Sequence, residues 1–245
     1  MKYWGLTDKG AVRTMNQDAF FVDSVGTLEG KEVILGLVCD GMGGAKAGDL
    51  ASATAREKFI EAIKTDIEAG NGNFRVIMAD AVAKANRAIV ELADSSPDYQ
   101  GMGTTLVAAL HWDKRTTVVN VGDSRCYIIK NNEIKQVTKD HSLVEDMIDK
   151  GELSREQAWK HPRKNLITRA VGTEHSVQCD TFEVELSSGD YLLLCSDGLS
   201  NIVNSQEMLF EVLYGDSSDT AAERMMEIAL GRNASDNVTV VLLSK

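Results

Sequence analysis

Proline, aromatic residues and cysteine are all scarce in this chain of 245 residues, which has two prolines, four cysteines and 6% Phe, Trp and Tyr. The two prolines, Pro97 and Pro162, lie far apart, and no Ser/Pro-rich stretch or block of like charge divides the chain. Linkers between domains usually have such compositions. We therefore predict one domain over residues 1–245, in which a hydrophobic content of 43% supplies a substantial core.

The cysteines do not form the groups that a zinc site or a disulfide scaffold requires. Cys39, Cys126, Cys179 and Cys195 are scattered, with no CxxC spacing. At least three of them lie inside apolar, strand-like runs, where a free thiol packs as a small hydrophobic group. The pattern argues against structural zinc and indicates a protein of a reducing compartment.

A long hydrophobic run and an excess of basic residues are also absent. No segment approaches the roughly 20 apolar residues that a helix needs to cross a bilayer, and the N-terminal MKYWGLTDKG lacks the apolar stretch of a signal peptide. The net charge is −11, whereas nucleic acids and anionic lipids attract a positive surface. The sequence predicts a cytoplasmic protein with no nucleic-acid or membrane partner.

Strand-like and helix-like segments alternate in groups along the chain. Segments with strand periodicity lie near residues 3–8, 18–23, 33–39, 177–186, 190–196 and 237–243. Segments with helical periodicity lie near residues 47–66, 74–93, 143–150, 155–159, 205–214 and 218–230. Between residues 104 and 138, short strands separated by turns at Asp113, Asp123 and Asn131 predict an antiparallel meander.

The order of these segments is strands, helix pair, strands, helix pair and a last strand, which is typical of an α+β fold. Each helix pair can cover one outer face of a pair of packed sheets. We therefore predict a four-layer α/β/β/α sandwich, with two antiparallel β-sheets flanked by helix pairs. A more charged insert at about residues 140–169 follows the meander.

Four aspartates stand at the ends of apolar strand-like runs: Asp18, Asp40, Asp197 and Asp236. Any one of them could be a turn residue or a helix cap. Two packed sheets can bring all four to one edge, where carboxylate oxygens suit a hard divalent cation such as Mg²⁺ or Mn²⁺. Gly41, directly after Asp40, lets the backbone approach closely. The combination predicts a metal site.

Asp40 is the candidate for a carboxylate that bridges two cations, which lie about 3.5–4 Å apart in such sites. A cation lowers the pKa of a bound water, so that hydroxide can attack phosphorus without a Ser or Cys nucleophile. Arg13, a few residues before Asp18, carries a planar guanidinium suited to phosphate oxygens. Taken alone, Arg13 would be interpreted as a surface residue.

Two other interpretations of these features fail on particular residues. A phosphatase of the haloacid dehalogenase type needs a second Asp two residues after its nucleophilic one, and Val38 and Met42 occupy the positions two before and two after Asp40. A nucleotide-binding P-loop needs Gly before its Lys and Ser or Thr after it, whereas alanines flank Lys46.

Eight segments of the chain together carry a resemblance to a known family. They are RTMNQDAF, VCDGMGGAKAG, GTTLVAAL, NVGDSRCYI, TKDHSLV, NLITRAVG, LLLCSDGLSN and SDNVTVVLL. In order and spacing they resemble the metal-dependent serine/threonine protein phosphatases of type 2C (the PPM family), and in particular the compact bacterial members. The resemblance runs from Gly5 to Leu243. Several multi-residue matches in the same order are very unlikely to arise by chance.

The resemblance implies a role for each candidate residue. Asp40, Asp197 and Asp236 correspond to direct ligands of two divalent ions, Mn²⁺ or Mg²⁺. The Gly41 carbonyl corresponds to a further ligand, and Asp18 to a ligand that acts largely through coordinated water.

Three further parts of the site follow from the same resemblance. Arg13 corresponds to the phosphate-binding arginine. Asp123 corresponds to the residue that holds a weaker third metal together with Asp197, although its spacing alone would make it a hairpin-turn residue. The insert at about 140–169 corresponds to the flap that borders the substrate groove.

The implied function is hydrolysis of phosphoserine and phosphothreonine in proteins by a metal-activated water. The implied setting is a cytoplasmic monomer that acts on phosphorylated proteins and opposes a bacterial serine/threonine kinase. The alternative is a catalytically silent phosphoprotein-binding module of the same fold, which the loss of a metal carboxylate would favour. Every such carboxylate is present.

The chain departs from many bacterial relatives at two positions, where Ala45 replaces a histidine and Asp49 replaces a common glutamate. Without a histidine at position 45, no residue near the metals is an obvious proton donor to the leaving group. Our hypothesis is that a water on a third cation donates this proton. The four histidines that are present are interpreted as structural: His111, His141, His161 and His175.

Overall fold

Two antiparallel sheets lie at the centre of the structure, a computed structural model that describes residues 1–43, 47–215 and 217–245. The first sheet contains, in spatial order, β1 (Lys2–Asp8), β11 (Val238–Ser244), β10 (Tyr191–Cys195), β7 (Arg125–Lys130) and β8 (Glu133–Gln136). The second contains β2 (Asp18–Leu28), β3 (Lys31–Met42), β5 (Leu106–Trp112), β6 (Arg115–Val121) and β9 (Asp180–Glu185), and the short β4 (Gly103–Thr104) pairs with β3.

Helices lie on the outer face of each sheet, and two further short helices lie in the insert at about residues 140–169. They are α1 (Gly48–Glu68), α2 (Phe74–Ser95), α3 (Leu143–Asp149), α4 (Arg155–Trp159), α5 (Asp197–Ser200), α6 (Ser205–Leu213) and α7 (Ala221–Gly231). α1 and α2 pack on the second sheet, and α5, α6 and α7 pack on the first. The predicted four-layer sandwich is therefore confirmed.

The apolar runs of β3 and β10 are continuous because both faces of each strand are buried. Leu35 and Leu37 of β3 pack towards α1 and α2, whereas Ile34 and Val38 face the other sheet. β10 divides its side chains in the same way between the helices and the neighbouring sheet. Full burial of one such side chain contributes roughly 1.5–3 kcal/mol. This burial fixes the positions of β3 and β10. Asp40 lies near the end of β3 and Asp197 follows β10, so both aspartates are fixed in position as well.

The predicted meander is confirmed, with one break that the sequence did not predict. Asn131 and Asn132 both have positive φ, at 53° and 60°, as the tight turn of a two-residue hairpin requires. The strand predicted from residue 104 onwards is interrupted at Thr105, so the prediction of one continuous strand was wrong. Thr105 N donates to the Asp40 carbonyl at 2.8 Å, and Thr104 Oγ1 donates to the same oxygen at 2.9 Å. The interruption fixes the backbone of Asp40.

Side chains cap the first turns of two helices. Asn73 Oδ1 accepts from Val76 N at the start of α2, and Ser154 forms a reciprocal capping box with Gln157 at the start of α4. The sequence missed α5, which begins directly at Asp197. No helix in the described parts of the chain is both long enough and apolar enough to cross a membrane.

Candidate metal and phosphate site

One cavity of about 460 Å³ brings together most of the residues that the sequence singled out. Its walls include Arg13, Asp40, Gly41, Asp123, Asp197 and Asp236. These residues come from both sheets, because Asp40 lies near the end of β3, Asp123 follows β6, and Asp197 follows β10. The predicted convergence of carboxylates at one edge is therefore present, and Asp123 belongs to it.

Asp18 lies behind the wall of this cavity and is almost fully buried. It is the cross-strand partner of Asp40. Its Oδ2 accepts hydrogen bonds from Ser196 Oγ at 2.8 Å and from Thr239 Oγ1 at 2.6 Å. Two hydroxyl donors therefore hold one oxygen of this carboxylate in place and leave its other oxygen for a different partner.

The carboxyl groups of the site disfavour one another's ionisation. Burial, followed by the charge of Asp18, raises the pKa of Asp40 well above its usual range. Burial also raises the pKa of Asp18 to about 7 and that of Asp123 to about 8, and Asp197 adds to both shifts. Burial and then Asp236 raise the pKa of Asp197. A divalent cation would compensate this concentration of negative charge.

Two carboxylate oxygens of the site lack a partner among the described residues, namely Asp18 Oδ1 and Asp197 Oδ1. A buried polar atom without a partner costs roughly 1–3 kcal/mol, and more when it is charged. Such oxygens fit cation binding. In the described parts of the chain, no three His, Cys, Asp or Glu side chains enclose one ion by themselves, so a cation here would need additional oxygen ligands, such as a backbone carbonyl or water.

The backbone around Gly41 leaves no room for a side chain. A Cβ atom at this position would lie 2.0 Å from the Gly48 carbonyl oxygen and 2.7 Å from that of Gln17. Gly41 N also donates to the Gln17 carbonyl at 3.1 Å. Glycine is therefore required by the close approach of three backbone segments at the wall of the cavity.

Arg13 reaches the cavity from an exposed loop, and about half of its side chain is accessible. Its Nη2 donates to Asp236 Oδ2 at 2.9 Å. The hydrogen bond with Asp236, followed by the charge of that carboxylate, raises the pKa of Arg13. Arg13, the predicted phosphate-binding residue, is therefore in contact with Asp236, a predicted metal ligand.

Asn237 is a structural part of the site that the sequence analysis missed. Its Oδ1 accepts from Gln17 N at 2.8 Å, and its Nδ2 donates to the carbonyl oxygens of Lys9 and Met15, each at 2.9 Å. Asn237 therefore holds both ends of the loop that carries Arg13. A polar residue directly after Asp236 was the available signal, but its partners lie more than two hundred positions away, at separations of 220, 228 and 222.

The two departures from the bacterial pattern have different outcomes. Ala45 lies outside the described residues. Asp49 stands in the first turn of α1, and its Oδ1 is a further buried oxygen that has no partner among the described residues. None of the described residues that line the cavity is a histidine.

Residues 10–233 match the protein phosphatase 2C family. The chain belongs to that family. It is 39% identical over 241 residues to the serine/threonine phosphatase stp of Listeria welshimeri, and the match covers 98% of this chain and 94% of that protein. It is 37% identical to the serine/threonine protein phosphatase PstP of Mycobacterium tuberculosis over 99% of this chain, which spans 44% of that protein.

Solved phosphatase 2C structures share the fold. The crystal structure of M. tuberculosis PstP has a TM-score of 0.88 and 35% identity, with 98% of this chain and 97% of that chain covered. The catalytic domain of PstP in complex with two manganese ions has a TM-score of 0.85 and 34% identity, with 98% and 96% covered. The family resemblance that the sequence indicated is confirmed.

Proposed function

We propose that this chain is a metal-dependent phosphatase that hydrolyses phosphoserine and phosphothreonine in proteins. The observation that carries the proposal is one cavity with several carboxylates and a guanidinium, in a chain of the phosphatase 2C family. The raised pKa values and the partnerless oxygens of these carboxylates fit two divalent ions, Mn²⁺ or Mg²⁺. Such ions supply an activated water and neutralise charge on the phosphoryl group.

We assign the direct metal contacts to Asp40, Asp197, Asp236 and the Gly41 carbonyl. Asp18 contributes to the centre without lining the cavity. Ser196 and Thr239 donate to one of its oxygens, and the other oxygen, which has no protein partner among the described residues, is available to a water of the metal centre.

Arg13 binds the phosphate in this proposal. Its contact with Asp236 is exposed on the Arg13 side, so the guanidinium can exchange that carboxylate for phosphate oxygens at small cost. The planar donors of an arginine match two oxygens of a phosphoryl group.

We propose a protein rather than a small ester as the substrate, because the relatives stp and PstP are named as serine/threonine phosphatases, PstP as a protein phosphatase. Both the Arg13 loop and the insert, through Asn165 and Ile167, line the cavity. We propose that residues 1–245 act as one catalytic domain, in which the insert at about 140–169 is a flap beside the substrate. The net charge of −11 suits a freely diffusing protein. We place such a monomer in the cytoplasm, where it opposes a serine/threonine kinase.

The direct test is phosphate release from a phosphothreonine peptide by the wild type with Mn²⁺, by the wild type with EDTA, and by Asp197→Ala with Mn²⁺. We expect turnover only in the first case, with losses of at least about a thousandfold in the others, because the metal centre supplies both the nucleophile and the charge stabilisation. Circular dichroism checks that the variant is folded. A folded, Mn²⁺-loaded wild type that binds the peptide without turnover would support the silent phosphoprotein-binding module instead.

Asp123→Ala separates proton delivery from the rest of the chemistry. We place a third cation at Asp123 and Asp197, and we place delivery of a proton to the leaving oxygen at this end of the cavity, since none of its described lining residues is a histidine. A serine or threonine leaving group needs that proton, whereas an aryl leaving group does not. The variant should therefore lower phosphopeptide turnover about a hundredfold and aryl phosphate turnover less than about threefold. Equal losses on both substrates would contradict this assignment.

A further inference from the structure

His141 is a buried histidine that lies outside the catalytic cavity, with 7% of its surface exposed. Its two ring nitrogens contact different parts of the molecule. Nδ1 lies 3.0 Å from Gly122 N. Nε2 lies 3.3 Å from Asp180 Oδ2 and 3.1 Å from Arg169 Nη1.

These contacts determine where the ring carries its proton. A backbone N–H can only donate, so Nδ1 of His141 must accept from Gly122. The proton of the neutral ring is then on Nε2, which donates to Asp180 and cannot accept from Arg169. Burial lowers the pKa of His141, although Asp180 opposes the shift, so the neutral ring prevails at neutral pH.

The Nδ1 side of His141 holds the turn that carries Asp123. His141 N also donates to the Gly122 carbonyl at 2.9 Å, so one residue satisfies both backbone polar groups of Gly122. Gly122 has a φ of +104°, a conformation that glycine adopts readily, and the two hydrogen bonds hold the turn in it. Beyond Asp123, Arg125 and Asp140 form an ion pair at 2.6 Å. The turn is therefore fastened to the base of the flap on both sides of Asp123.

The Nε2 side of His141 holds the wall of a second cavity. Arg169 Nη1 donates to Asp180 Oδ1 at 3.1 Å and to the Gln178 carbonyl at 3.2 Å. Arg169 and Gln178 line a cavity of about 430 Å³. Met42 and Ile167 line both this cavity and the catalytic one. The two cavities therefore adjoin each other and share part of one wall.

The chemistry of the second cavity suits extended polypeptide. Its lining is mostly polar and includes Thr168, Thr173, Ser176 and Gln178, whose groups can pair with a peptide backbone. The loop that forms it is anchored, because Asn86 Oδ1 accepts from Gly172 N at 2.7 Å. The cavity volume of about 430 Å³ lies within the range of about 300–1,000 Å³ that is typical of ligand pockets.

We propose that His141 is a positioning residue that links the second cavity, as the subsite for the polypeptide next to the phosphorylated residue, to the turn that carries Asp123. The inference rests on the proposed function, and it adds a subsite and its connection to the catalytic cavity. A peptide that occupies the subsite contacts Arg169. Arg169 is bonded to Asp180, which contacts the ring of His141, and the ring transmits the contact to Gly122.

Two substitutions test the two sides of the ring separately. In His141→Asn the amide oxygen takes the place of Nδ1, and in His141→Gln the end group takes the place of Nε2. We expect His141→Asn to raise KM for a phosphothreonine peptide about tenfold and to leave kcat and the half-saturating Mn²⁺ concentration within about twofold. KM for an aryl phosphate, which does not reach the subsite, should not change.

His141→Gln should have the opposite effect. We expect kcat for the phosphopeptide to fall about tenfold and the half-saturating Mn²⁺ concentration to rise, with KM within about twofold. The matched control is His111→Gln. His111 is equally buried and bonds Thr116 Oγ1 at 2.8 Å, but it lies roughly 20 Å away along β5. It reports the cost of replacing a buried histidine, as a lower melting temperature with unchanged KM and kcat.

The proposal is overturned if the two His141 variants change KM and kcat alike, in proportion to their loss of melting temperature, because a merely structural role predicts that result. It is also overturned if neither variant differs from His111→Gln. Wild-type turnover, measured alongside, reports on the proposed function separately. If the wild type binds the peptide without turnover, calorimetric affinities of the peptide and Mn²⁺ replace KM and kcat in the same comparison: His141→Asn should weaken peptide binding, and His141→Gln should weaken Mn²⁺ binding.

Discussion

Asp40→Asn should lower turnover of a phosphothreonine peptide by at least about a thousandfold and should raise the melting temperature of the metal-free protein. The two effects have the same origin. In our proposal Asp40 is the carboxylate that bridges two cations, and without cations it is a source of repulsion. Burial and the charges of Asp18 and Asp197 raise its pKa well above the usual range.

The loss of turnover follows from the number of interactions that this one group supports. In the proposed centre Asp40 would contact both ions, and these ions would supply the activated water and neutralise charge on the phosphoryl group. Asparagine has nearly the same shape, but it carries no charge and bridges poorly. The substitution therefore removes the charge without creating a cavity.

Turnover with Mn²⁺ and thermal unfolding in EDTA measure both effects on the same preparations. A matched control is Asp219→Asn, in which an exposed carboxylate paired with Lys2 loses its charge far from the cavity. It should change neither quantity appreciably, because exposed ion pairs contribute about 0–1 kcal/mol. Retained turnover in Asp40→Asn, or a melting temperature in EDTA below that of the wild type, would contradict the role assigned to Asp40.

The metal-free wild type should lose stability as the pH rises from about 6.5 to 8.5, and Mn²⁺ should remove most of this dependence. Asp18 and Asp123 have folded-state pKa values of about 7 and about 8, whereas an unfolded Asp has a pKa near 3.9. In this pH range the folded chain binds more protons than the unfolded chain. Its stability therefore falls as the pH rises through the folded-state values, with the full cost present above them.

Cations oppose this loss of stability because they bind the ionised carboxylates of the folded chain only. Their contribution grows with concentration as RT ln(1 + [L]/Kd), and each kcal/mol raises the melting temperature by about 2–4 °C in a chain of this size. The increase on adding Mn²⁺ should therefore be larger at the higher pH.

Melting temperatures across this pH range, with EDTA and with Mn²⁺, measure the dependence. Asp123→Asn removes one of the two titrating groups and should flatten the slope of the metal-free protein. A metal-free wild type whose melting temperature is constant or rises with pH would show that these carboxylates do not carry the raised pKa values.

The sequence indicated which residues belong to the site more completely than it indicated how they are held. Asp40, Asp197 and Asp236 were found because each stands at one end of an apolar run, and a strand buried on both faces leaves only its ends for charged groups. Asp123 was ambiguous, since a hairpin turn also explains an aspartate at that position. The structure places it on the wall of the same cavity.

The sequence by itself determined the type and order of most elements and the membership of the phosphatase 2C family. Hydrophobic periodicity indicates which face of a helix or strand is buried. This property can be read from the segment itself, even when the element that packs against it is unknown. The α+β order and the layer of helices on each sheet follow from it. The short helix that begins at Asp197 and the break at Thr105 did not follow, because contacts outside their own segments decide them.

Only the tertiary structure decided the partners of the site residues. The hydroxyl groups that hold Asp18 belong to Ser196 and Thr239, at sequence separations of 178 and 221. Asp236 reaches Arg13 across a separation of 223. Such pairs depend on strand register and on how two sheets stack, and a shift of one residue would turn each side chain to the opposite face. The composition of a segment and the spacing of its residues do not indicate the strand register or the stacking of the sheets.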